Sequence, residues 1–330
     1  MKVRHMKKVQ LTRIITGICI TVFFLAGCGQ REPFFGAAPV QANDADFTLQ
    51  SIVDEKAFLD RSRDEGKLSI RYFHFSDQEK GGDSIYIEAP DGSNLLIDAG
   101  YEKAGKALVQ SLSDLGVDHL DAVVATHPHH DHIGGFISLL DAKHVGRVYM
   151  PKVANDTILF EQFVEKIKEK AIPVSFLERG DVIAMNTDVQ LDVLGPPKGT
   201  GTKNIPTSMS TSAINNLCLV LKLHYGERTF LFTCDVYKRA EFELTEAFGS
   251  SLKADMLHAP HHGNHTSSSI PFIQAVRPKL TIFSSHEVYS KTVYENYRKS
   301  GSRIAVTGID GNILILCDGN SIQLVTQRVT

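Results

Sequence analysis

A cluster of four histidines and one aspartate, "THPHHDHIGG" at residues 126–135, constrains the fold of this chain more than any other feature. It follows the apolar run "LDAVVA", which predicts a buried strand. His127 and His129 are two apart in extended backbone, so both side chains point the same way and can reach one metal ion. Asp131 and His132 follow at the turn and can face a second ion. The strand before the cluster and the paired glycines after it disfavour the alternative, an exposed histidine-rich loop.

Two more predicted strand ends carry candidate ligands. Asp235 ends "TFLFTCD" and is suited to bridge two cations, while the alternative role is an N-cap for the helix predicted in "VYKRAEFEL". "HAPHHGNHTSSS" again places histidines after a strand. There, His261 is the predicted ligand, and His262 is predicted to adjoin it or to contact substrate. His258 and His265 are predicted to be structural or peripheral.

The alternation of strand and helix patterns predicts the fold class. Hairpin signals, such as the Asp-Gly turn in "DSIYIEAPDGSNLLIDAG", occur together with strand–helix–strand crossovers. This mixture predicts an α/β chain with two mixed sheets and helices outside them. The long polar segment 195–214 interrupts the pattern and is predicted to be a functional or disordered loop. Cys218, Cys234 and Cys317 lie in apolar runs and are predicted to be buried thiols.

The N-terminus predicts export. A basic start precedes the apolar run "IITGICITVFFLAG", which is typical of a signal peptide and short for a membrane span. Its end, "LAGC", resembles the bacterial lipobox, which implies cleavage before a lipidated Cys28. The alternative is an uncleaved N-terminal anchor, and both place the body outside the cytoplasmic membrane. The predicted organisation is a signal peptide at 1–27, a tether with a short helix at 28–66, and a hydrolase domain at 67–330.

The charge balance bears on partners. The first 27 residues hold five basic residues and no acidic one, so their removal changes the formal net charge from −3 to −8. An acidic body does not attract nucleic acid in general. No strong general nucleic-acid surface is therefore expected, and the predicted partners are a small hydrolysable substrate and the membrane that holds the lipid.

The histidine cluster has the His-x-His-x-Asp-His signature and resembles the metallo-β-lactamase superfamily. The stretches "GGDSIYIEAPDGSNLLIDAG", "NNLCLVLKL", "FLFTCD" and "HHGNHTSSS" resemble, in order, the motifs of its ComEC-type branch, the extracytoplasmic domain of the DNA-uptake channel. The resemblance runs from about Leu68 to Val325. It implies a four-layer αβ/βα sandwich with metals at one edge between the sheets. Asp98 resembles the strand-end aspartate that orients the metal loop in this family.

The resemblance implies two divalent ions, with zinc as the usual metal and manganese as the alternative in this branch. The implied ligands are His127 and His129 for one ion, Asp131, His132 and His261 for the other, and Asp235 as the bridge. Two departures stand out. The first ion lacks the third histidine of most relatives, and Asn216 stands at the ComEC-type position nearby, where an amide is a poor zinc ligand. The late Gly-His-Pro is also missing, and Lys291 stands roughly where that histidine would be, with His286 five residues early.

The predicted function is hydrolysis by a water activated between the two ions. Phosphodiesters, as nucleic acid or nucleotide, are the predicted substrates by resemblance, and the predicted catalytic residues are Asp131, His262 and Asn216. Hydrolysis of a lactam, lactone or thioester is the second hypothesis. The third is a membrane-tethered binding or assembly subunit with a partly degraded metal site.

Overall fold

The computed structural model describes residues 47–52, 55–75, 82–200 and 209–327. The predicted signal peptide, Cys28 and most of the tether lie outside these residues, as do positions 201–208 of the long polar segment. No helix in the described ranges has the length and apolar character needed to cross a membrane.

The described residues form strands and α-helices in alternation. The strands are β1 (Phe47–Ile52), β2 (Leu68–Tyr72), β3 (Ile85–Glu88), β4 (Asn94–Ile97), β5 (His119–Leu120), β6 (Ala122–Val124), β7 (His144–Val145), β8 (Val148–Met150), β9 (Val174–Phe176), β10 (Val182–Ala184), β11 (Val189–Gly195), β12 (Val220–Tyr225), β13 (Arg228–Phe232), β14 (Met256–His258), β15 (Leu280–Phe283), β16 (Arg303–Val306), β17 (Ile313–Cys317) and β18 (Ile322–Gln327). The helices are α1 (Glu55–Leu59), α2 (Gly105–Asp114), α3 (His130–Ile133), α4 (Phe136–Ala142), α5 (Ile158–Glu169), α6 (Thr211–Asn215), α7 (Lys238–Phe248), α8 (Ile270–Val276), α9 (Lys291–Lys299) and α10 (Thr307–Asp310).

Two mixed sheets carry the fold. The first has the strand order β1-β18-β17-β2-β3-β4-β6-β8-β9, and the second has the order β10-β11-β12-β13-β14-β15-β16. In the first sheet β4, β6, β8 and β9 are parallel, and in the second β13 to β16 are parallel. The remaining pairs are antiparallel, except for the parallel contact of β1 with β18.

The core is layered as predicted. One buried cluster joins the facing surfaces of the two sheets and includes Ile70 and Ile87 from the first and Leu221 and Phe230 from the second. A second cluster lies under α2, α4 and α5 on the outer face of the first sheet. A third lies under α7, α8 and α9 on the outer face of the second sheet. The order of layers is therefore helix, sheet, sheet, helix, which confirms the predicted four-layer sandwich.

Strand β4 shows how the sequence builds these layers. Leu95 and Ile97 face the other sheet, while Leu96 between them packs under the helices. Side chains alternate between the two faces of a strand, and here both faces are covered. A strand segment buried on both faces is apolar at every position, which explains the unbroken run "LLI" after Asn94 in place of alternation.

The N-terminal part of the described chain packs on the first sheet. β1 pairs with β18 from Phe47 to Ile52, and Phe58 of α1 is buried against Phe73. Arg71 of β2 holds this segment on the sheet. Its guanidinium donates to both carboxylate oxygens of Asp64 and to the Phe58 carbonyl oxygen. Residues 28–66 are predicted to be a tether with a short helix, whereas Phe47–Ile52 and the described residues from Glu55 are folded against the sheet.

Candidate metal centre

The carboxyl ends of parallel strands from both sheets meet at one edge of the sandwich. β4 and β6 of the first sheet lead to Asp98 and to the histidine loop, and β13 and β14 of the second lead to Asp235 and to the second histidine pair. Such strand ends are the usual place for a site in α/β folds. The sheets are joined there because the Leu219 backbone amide, just before β12, donates to the Thr126 carbonyl oxygen at 3.0 Å.

Asp98 holds the histidine loop in place. It is fully buried, and its carboxylate accepts from the Thr126 backbone amide at 2.8 Å and from the Thr126 hydroxyl. The same carboxylate lies 2.8 Å from His132 Nδ1. A carboxylate on one ring nitrogen fixes the orientation of the imidazole and leaves the other nitrogen for a metal. The role predicted for Asp98, orienting the metal loop, is compatible with these contacts and stays a prediction.

The two glycines of the loop allow a close approach between segments. A Cβ on Gly135 would lie 2.1 Å from the Ala99 carbonyl oxygen, and one on Gly134 would lie 2.3 Å from the Glu102 backbone nitrogen. No other residue type fits these places without moving the backbone. The loop that carries the histidines is therefore pressed against residues 99–102, just after β4.

One set of donor atoms contains His127, His129 and Asp235. One donor atom from each of these three lies within 4.8 Å of the other two. His127 Nε2 is 2.8 Å from His129 Nδ1 and 3.9 Å from Asp235 Oδ2. The extended backbone of His129, with φ −88° and ψ 154°, gives the two side chains the common direction that their spacing predicts.

A second set contains Asp131, His132, Asp235 and His262, and their donor atoms likewise lie within 4.8 Å of one another. His262 Nε2 is 3.4 Å from Asp235 Oδ1 and 3.7 Å from Asp131 Oδ2. His132 Nε2 is 3.5 Å from Asp235 Oδ2. His261 is the ligand that the family resemblance implies for this ion. In the structure His262 lies beside Asp131, while His261 Nε2 lies 3.7 Å from Asp235 Oδ2, the oxygen that also faces His127.

Both members of the pair reach the centre because of an unusual backbone. His261 and His262 have φ of 50° and 56°, the left-handed region that side chains rarely adopt. Strained backbone of this kind is concentrated at functional sites. The His261 amide donates to the Cys234 carbonyl oxygen at 2.9 Å, which fixes the pair beside Asp235. A Cβ on the next residue, Gly263, would lie 2.5 Å from the Phe283 ring.

The helix-cap role considered for Asp235 does not fit the structure. Helix α7 begins at Lys238, with Tyr237 at the N-cap position, and no side chain caps it. Asp235 is buried, and its Oδ1 has no hydrogen-bond partner among the described residues. Its carboxylate is directed at imidazoles, which leaves metal bridging as its candidate role.

Opposite charges gather in the centre. Burial opposes ionisation of Asp235, but the charges of His262 and His132 outweigh it and hold its pKa well below the usual value. Burial likewise opposes protonation of His132, yet Asp235 and Asp98 raise its pKa well above the usual value. By contrast, burial lowers the pKa of His127 and of His129, which favours the neutral, metal-ligating form.

These donor atoms fit divalent cations. His132 Nε2, Asp235 Oδ1 and His262 Nε2 are buried and have no hydrogen-bond partner in the described chain. Buried polar atoms without partners are costly, and here they converge on common points. Bonds of 2.0–2.2 Å around a tetrahedral zinc ion put its ligands roughly 3.3 Å apart, close to the separations of 3.4–3.9 Å between Asp235 and the imidazoles. Histidine with carboxylate suits zinc, while the carboxylates also suit manganese.

Asp83 belongs to the centre and was not identified from the sequence. Its buried carboxylate lies 3.2 Å from His258 Nε2, 3.5 Å from His262 Nδ1 and 3.7 Å from His132 Nδ1. Burial opposes its ionisation, but His258 and His262 hold its pKa well below the usual value. Its backbone amide donates to the Asp131 carbonyl oxygen at 3.3 Å. The hydrogen-bond partner of His262 Nδ1 is the Ser284 carbonyl oxygen at 2.8 Å, so Asp83 acts on His262 through its charge, as it does on the buried His258.

Other positions differ in their placement. Asn216 Oδ1 accepts from the Ala240 amide and its Nδ2 donates to the Ser212 carbonyl oxygen, so both polar ends bond to backbone. The preceding Asn215 is 1% exposed. Cys234 Sγ lies 3.1 Å from His127 Nδ1, and burial raises its pKa well above the usual value, which keeps it a thiol.

The late substitutes for the missing Gly-His-Pro lie apart from the ligand sets. His286 is exposed, and its ring stacks near His74 with centroids 6.5 Å apart. Lys291 is exposed at the first turn of α9. The described residues thus bring together His127, His129, Asp131, His132, Asp235, His261, His262 and Asp98, and they give Asn216 a structural contact instead.

Comparison with known proteins agrees with this geometry. The sequence profile of the metallo-beta-lactamase superfamily matches residues 78–286. The chain belongs to the metallo-beta-lactamase superfamily. Within it, the resemblance to the ComEC-type branch is confirmed. ComE operon protein 3 of Bacillus subtilis is 29% identical over 255 residues, and Competence protein ComA of Neisseria gonorrhoeae is 28% identical over 226 residues.

The chain corresponds to only part of these relatives. The match covers 70% of this chain and 31% of ComE operon protein 3, and 66% of this chain and 28% of ComA. Among solved structures, CmlA, a diiron beta-hydroxylase from Streptomyces venezuelae, aligns with a TM-score of 0.45 and 13% identity over 73% of this chain and 52% of that one. This last likeness concerns the fold alone.

Proposed function

We propose that the protein is a divalent-metal-dependent hydrolase of phosphodiesters. The observation that carries the proposal is the convergence of buried donor atoms without hydrogen-bond partners on the Asp235 carboxylate. The residues proposed to hold two cations are His127, His129, Asp131, His132, Asp235, His261 and His262. Zinc is the expected metal, and manganese is the alternative.

The protein's own groups would prepare the reaction in three ways. Bound cations supply Lewis-acid activation of water and neutralise charge that develops on the substrate. Asp98 would orient the His132 imidazole and the Ser284 carbonyl oxygen would orient that of His262, while the charge of Asp83 adds to the field around them. Asp131 is ionised, because the charge of His132 and a contact with His262 lower its pKa against the effect of burial. With 17% of its side chain exposed, it can accept a hydrogen bond from a water molecule that reaches the centre.

Two observations support phosphodiesters over acyl substrates. The ordered motifs resemble the ComEC-type branch, a resemblance that implies a connection with DNA uptake, and one relative is named Competence protein ComA. The negative charge of the domain disfavours tight binding of a long polyanion, because the formal net charge is −8 without the first 27 residues. We therefore propose short diesters, nucleotide fragments or strand ends as substrates, in preference to long duplexes.

The proposed location is outside the cytoplasmic membrane, with a lipid on Cys28. The support is the basic start, the apolar run and the lipobox-like "LAGC" in the sequence. A lipid on one cysteine would place the metal centre near a membrane surface without a spanning helix.

The test compares three substrate classes on one preparation loaded with zinc or manganese. They are bis(p-nitrophenyl) phosphate, a chromogenic cephalosporin and an acyl thioester, each assayed with and without a chelator. We expect chelator-sensitive hydrolysis of the diester, and its loss in Asp235→Asn. Hydrolysis of the cephalosporin or thioester in place of the diester would refute the substrate class. A folded, metal-loaded protein with no hydrolysis of any of the three would favour a binding or assembly role.

A further inference from the structure

The segment after β4 is fixed onto the histidine loop, and Tyr101 lies at its end. The Ala99 amide donates to the His132 carbonyl oxygen at 2.7 Å, and the Gly135 amide donates to the Gly100 carbonyl oxygen at 3.1 Å. A Cβ on Gly134 would lie 2.8 Å from the Tyr101 carbonyl carbon. The backbone of Tyr101 therefore cannot move independently of the loop that carries the ligands.

The Tyr101 side chain extends over this loop. Its ring meets the edge of the His130 ring, with centroids 5.0 Å apart and planes at 65°. It is half-buried, so part of it remains open to solvent. His130 is the one histidine of the cluster that lies outside the ligand sets, and in this structure it supports the Tyr101 ring.

The Tyr101 hydroxyl lies within the field of the metal centre. Burial first, and then the negative charge of Asp131, raise its pKa above the usual value, and Asp235 adds to the effect. The group therefore stays a neutral hydroxyl over the working pH range of a hydrolase. Tyr289 also raises the pKa of Tyr101, so a second tyrosine lies near this hydroxyl.

We propose that the Tyr101 hydroxyl donates a hydrogen bond to a substrate oxygen at the metal centre. The inference rests on the proposed function and identifies a residue that contacts the reacting group. The centre is otherwise rich in acceptors, because the carboxylates of Asp131 and Asp235 offer only lone pairs and the ligating imidazole nitrogens would face the metals. A neutral donor on a fixed backbone can stabilise the charge that develops on a phosphoryl oxygen without rearrangement.

The experiment compares Tyr101→Phe with Tyr225→Phe in the metal-loaded protein. Tyr225, at the end of β12, is a matched control because it is also half-buried with a pKa raised chiefly by burial. The further charges that act on it come from Cys317, Asp188 and Asp318, which lie outside the ligand sets. Both changes remove only a hydroxyl, so metal content and thermal stability should remain as in the wild type.

For Tyr101→Phe we expect kcat on bis(p-nitrophenyl) phosphate to fall about 10- to 100-fold, the size expected for one hydrogen bond to a charged group, with little change in KM. We also expect the affinity for orthovanadate, measured by calorimetry without turnover, to weaken about tenfold. Tyr225→Phe should change neither quantity.

The outcomes separate this proposal from the proposed function. If the wild type hydrolyses no diester but binds vanadate in a Tyr101-dependent way, the proposed function fails and the Tyr101 contact holds. Unchanged kcat and vanadate affinity in Tyr101→Phe would overturn the contact. Absence of vanadate binding to the loaded wild type would overturn it as well. Loss of metal from Tyr101→Phe would show a structural role in the loop and would also overturn it.

Discussion

Asp235→Asn tests the metal centre most directly, because one side chain serves both proposed ions. Four imidazole nitrogens lie 3.4–3.9 Å from its two carboxylate oxygens. The change keeps the shape of the side chain and removes the negative charge. Since α7 begins at Lys238 and Asp235 does not cap it, loss of a helix cap cannot account for the result.

The magnitude follows from linkage between metal binding and folding. At free metal of about 100 times Kd, binding to the folded state stabilises the wild type by about 2.7 kcal/mol. For a domain of this size each kcal/mol corresponds to roughly 2 °C in Tm, so metal should raise Tm by about 5 °C. Removal of an outer carboxylate weakens metal affinity about 10- to 100-fold, and a shared ligand should cost at least the upper figure. At the same metal concentration the gain would then fall to about 0.4 kcal/mol, or about 1 °C.

The assay is thermal unfolding with and without metal, followed by far-ultraviolet circular dichroism because the chain has no tryptophan. Each protein is compared with its own metal-free state, so changes in the stability of the metal-free fold cancel. The control is Asp192→Asn, since Asp192 also pairs with a histidine, His224 at 3.1 Å, but lies outside the ligand sets. An Asp235→Asn protein that keeps the wild-type metal-dependent shift in Tm and its bound metal would refute the bridging role.

Three further predictions concern single side chains. Asp83→Asn should weaken zinc affinity about 10- to 100-fold in competition with a fluorescent chelator while the metal-free protein stays folded, and unchanged affinity would count against its support of His262. Glu241→Gln should lower the free energy of unfolding by about 1–3 kcal/mol in urea, because the buried carboxylate accepts from the Ser268 and Ser269 amides and glutamine offers one oxygen fewer. Burial raises the pKa of Glu241, so protonation of its carboxyl group favours the folded state. This contribution is fully present below the unfolded pKa of about 4.3 and is lost as pH rises through the folded pKa, so the difference in stability from Glu241→Gln should narrow from acid to neutral pH, and a widening difference would contradict this. Cys28→Ala should leave the protein uncleaved or release it from the membrane fraction, whereas unchanged size and fractionation would argue against lipidation at Cys28.

Local patterns in the sequence were enough to predict the fold class and the histidine loop. The loop depends on spacing within ten residues, and the layers depend on apolar runs such as "LLI" in β4, which need no knowledge of distant contacts. The role of Asp83 was not predictable in this way. Its carboxylate contacts the centre only because the fold brings the segment before β3 beside His258 and His262, which are about half the chain away in sequence.

Two further differences have the same physical origin. Asn215 and Asn216 are adjacent at the end of α6, and the direction of each side chain depends on where the helix ends, which sequence patterns locate poorly. The segment "FTLQSI" is short and half polar, so nothing in it indicates a strand until β18 offers an edge to pair with. Pairing at a sheet edge depends on backbone hydrogen bonds, which nearly every residue type can make, so the side-chain pattern does not predict it.

The second histidine pair gives a physical account of the missing third histidine. Most members of the superfamily supply that ligand from a separate segment between the histidine cluster and the bridging aspartate. In this chain Asn216 lies in that segment, and both polar ends of its side chain are bonded to backbone. The left-handed backbone at His261 and His262 directs two neighbouring imidazoles to different oxygens of Asp235, with His262 facing Oδ1 and His261 facing Oδ2. Oδ2 also lies 3.9 Å from His127 Nε2 and 3.5 Å from His132 Nε2, so His261 would adjoin the oxygen that both proposed ions share, while His262 would serve the ion of Asp131. On this arrangement, we expect one strained turn to bring an imidazole to each oxygen of the proposed bridging carboxylate, which would reduce the need for a third histidine from a separate segment.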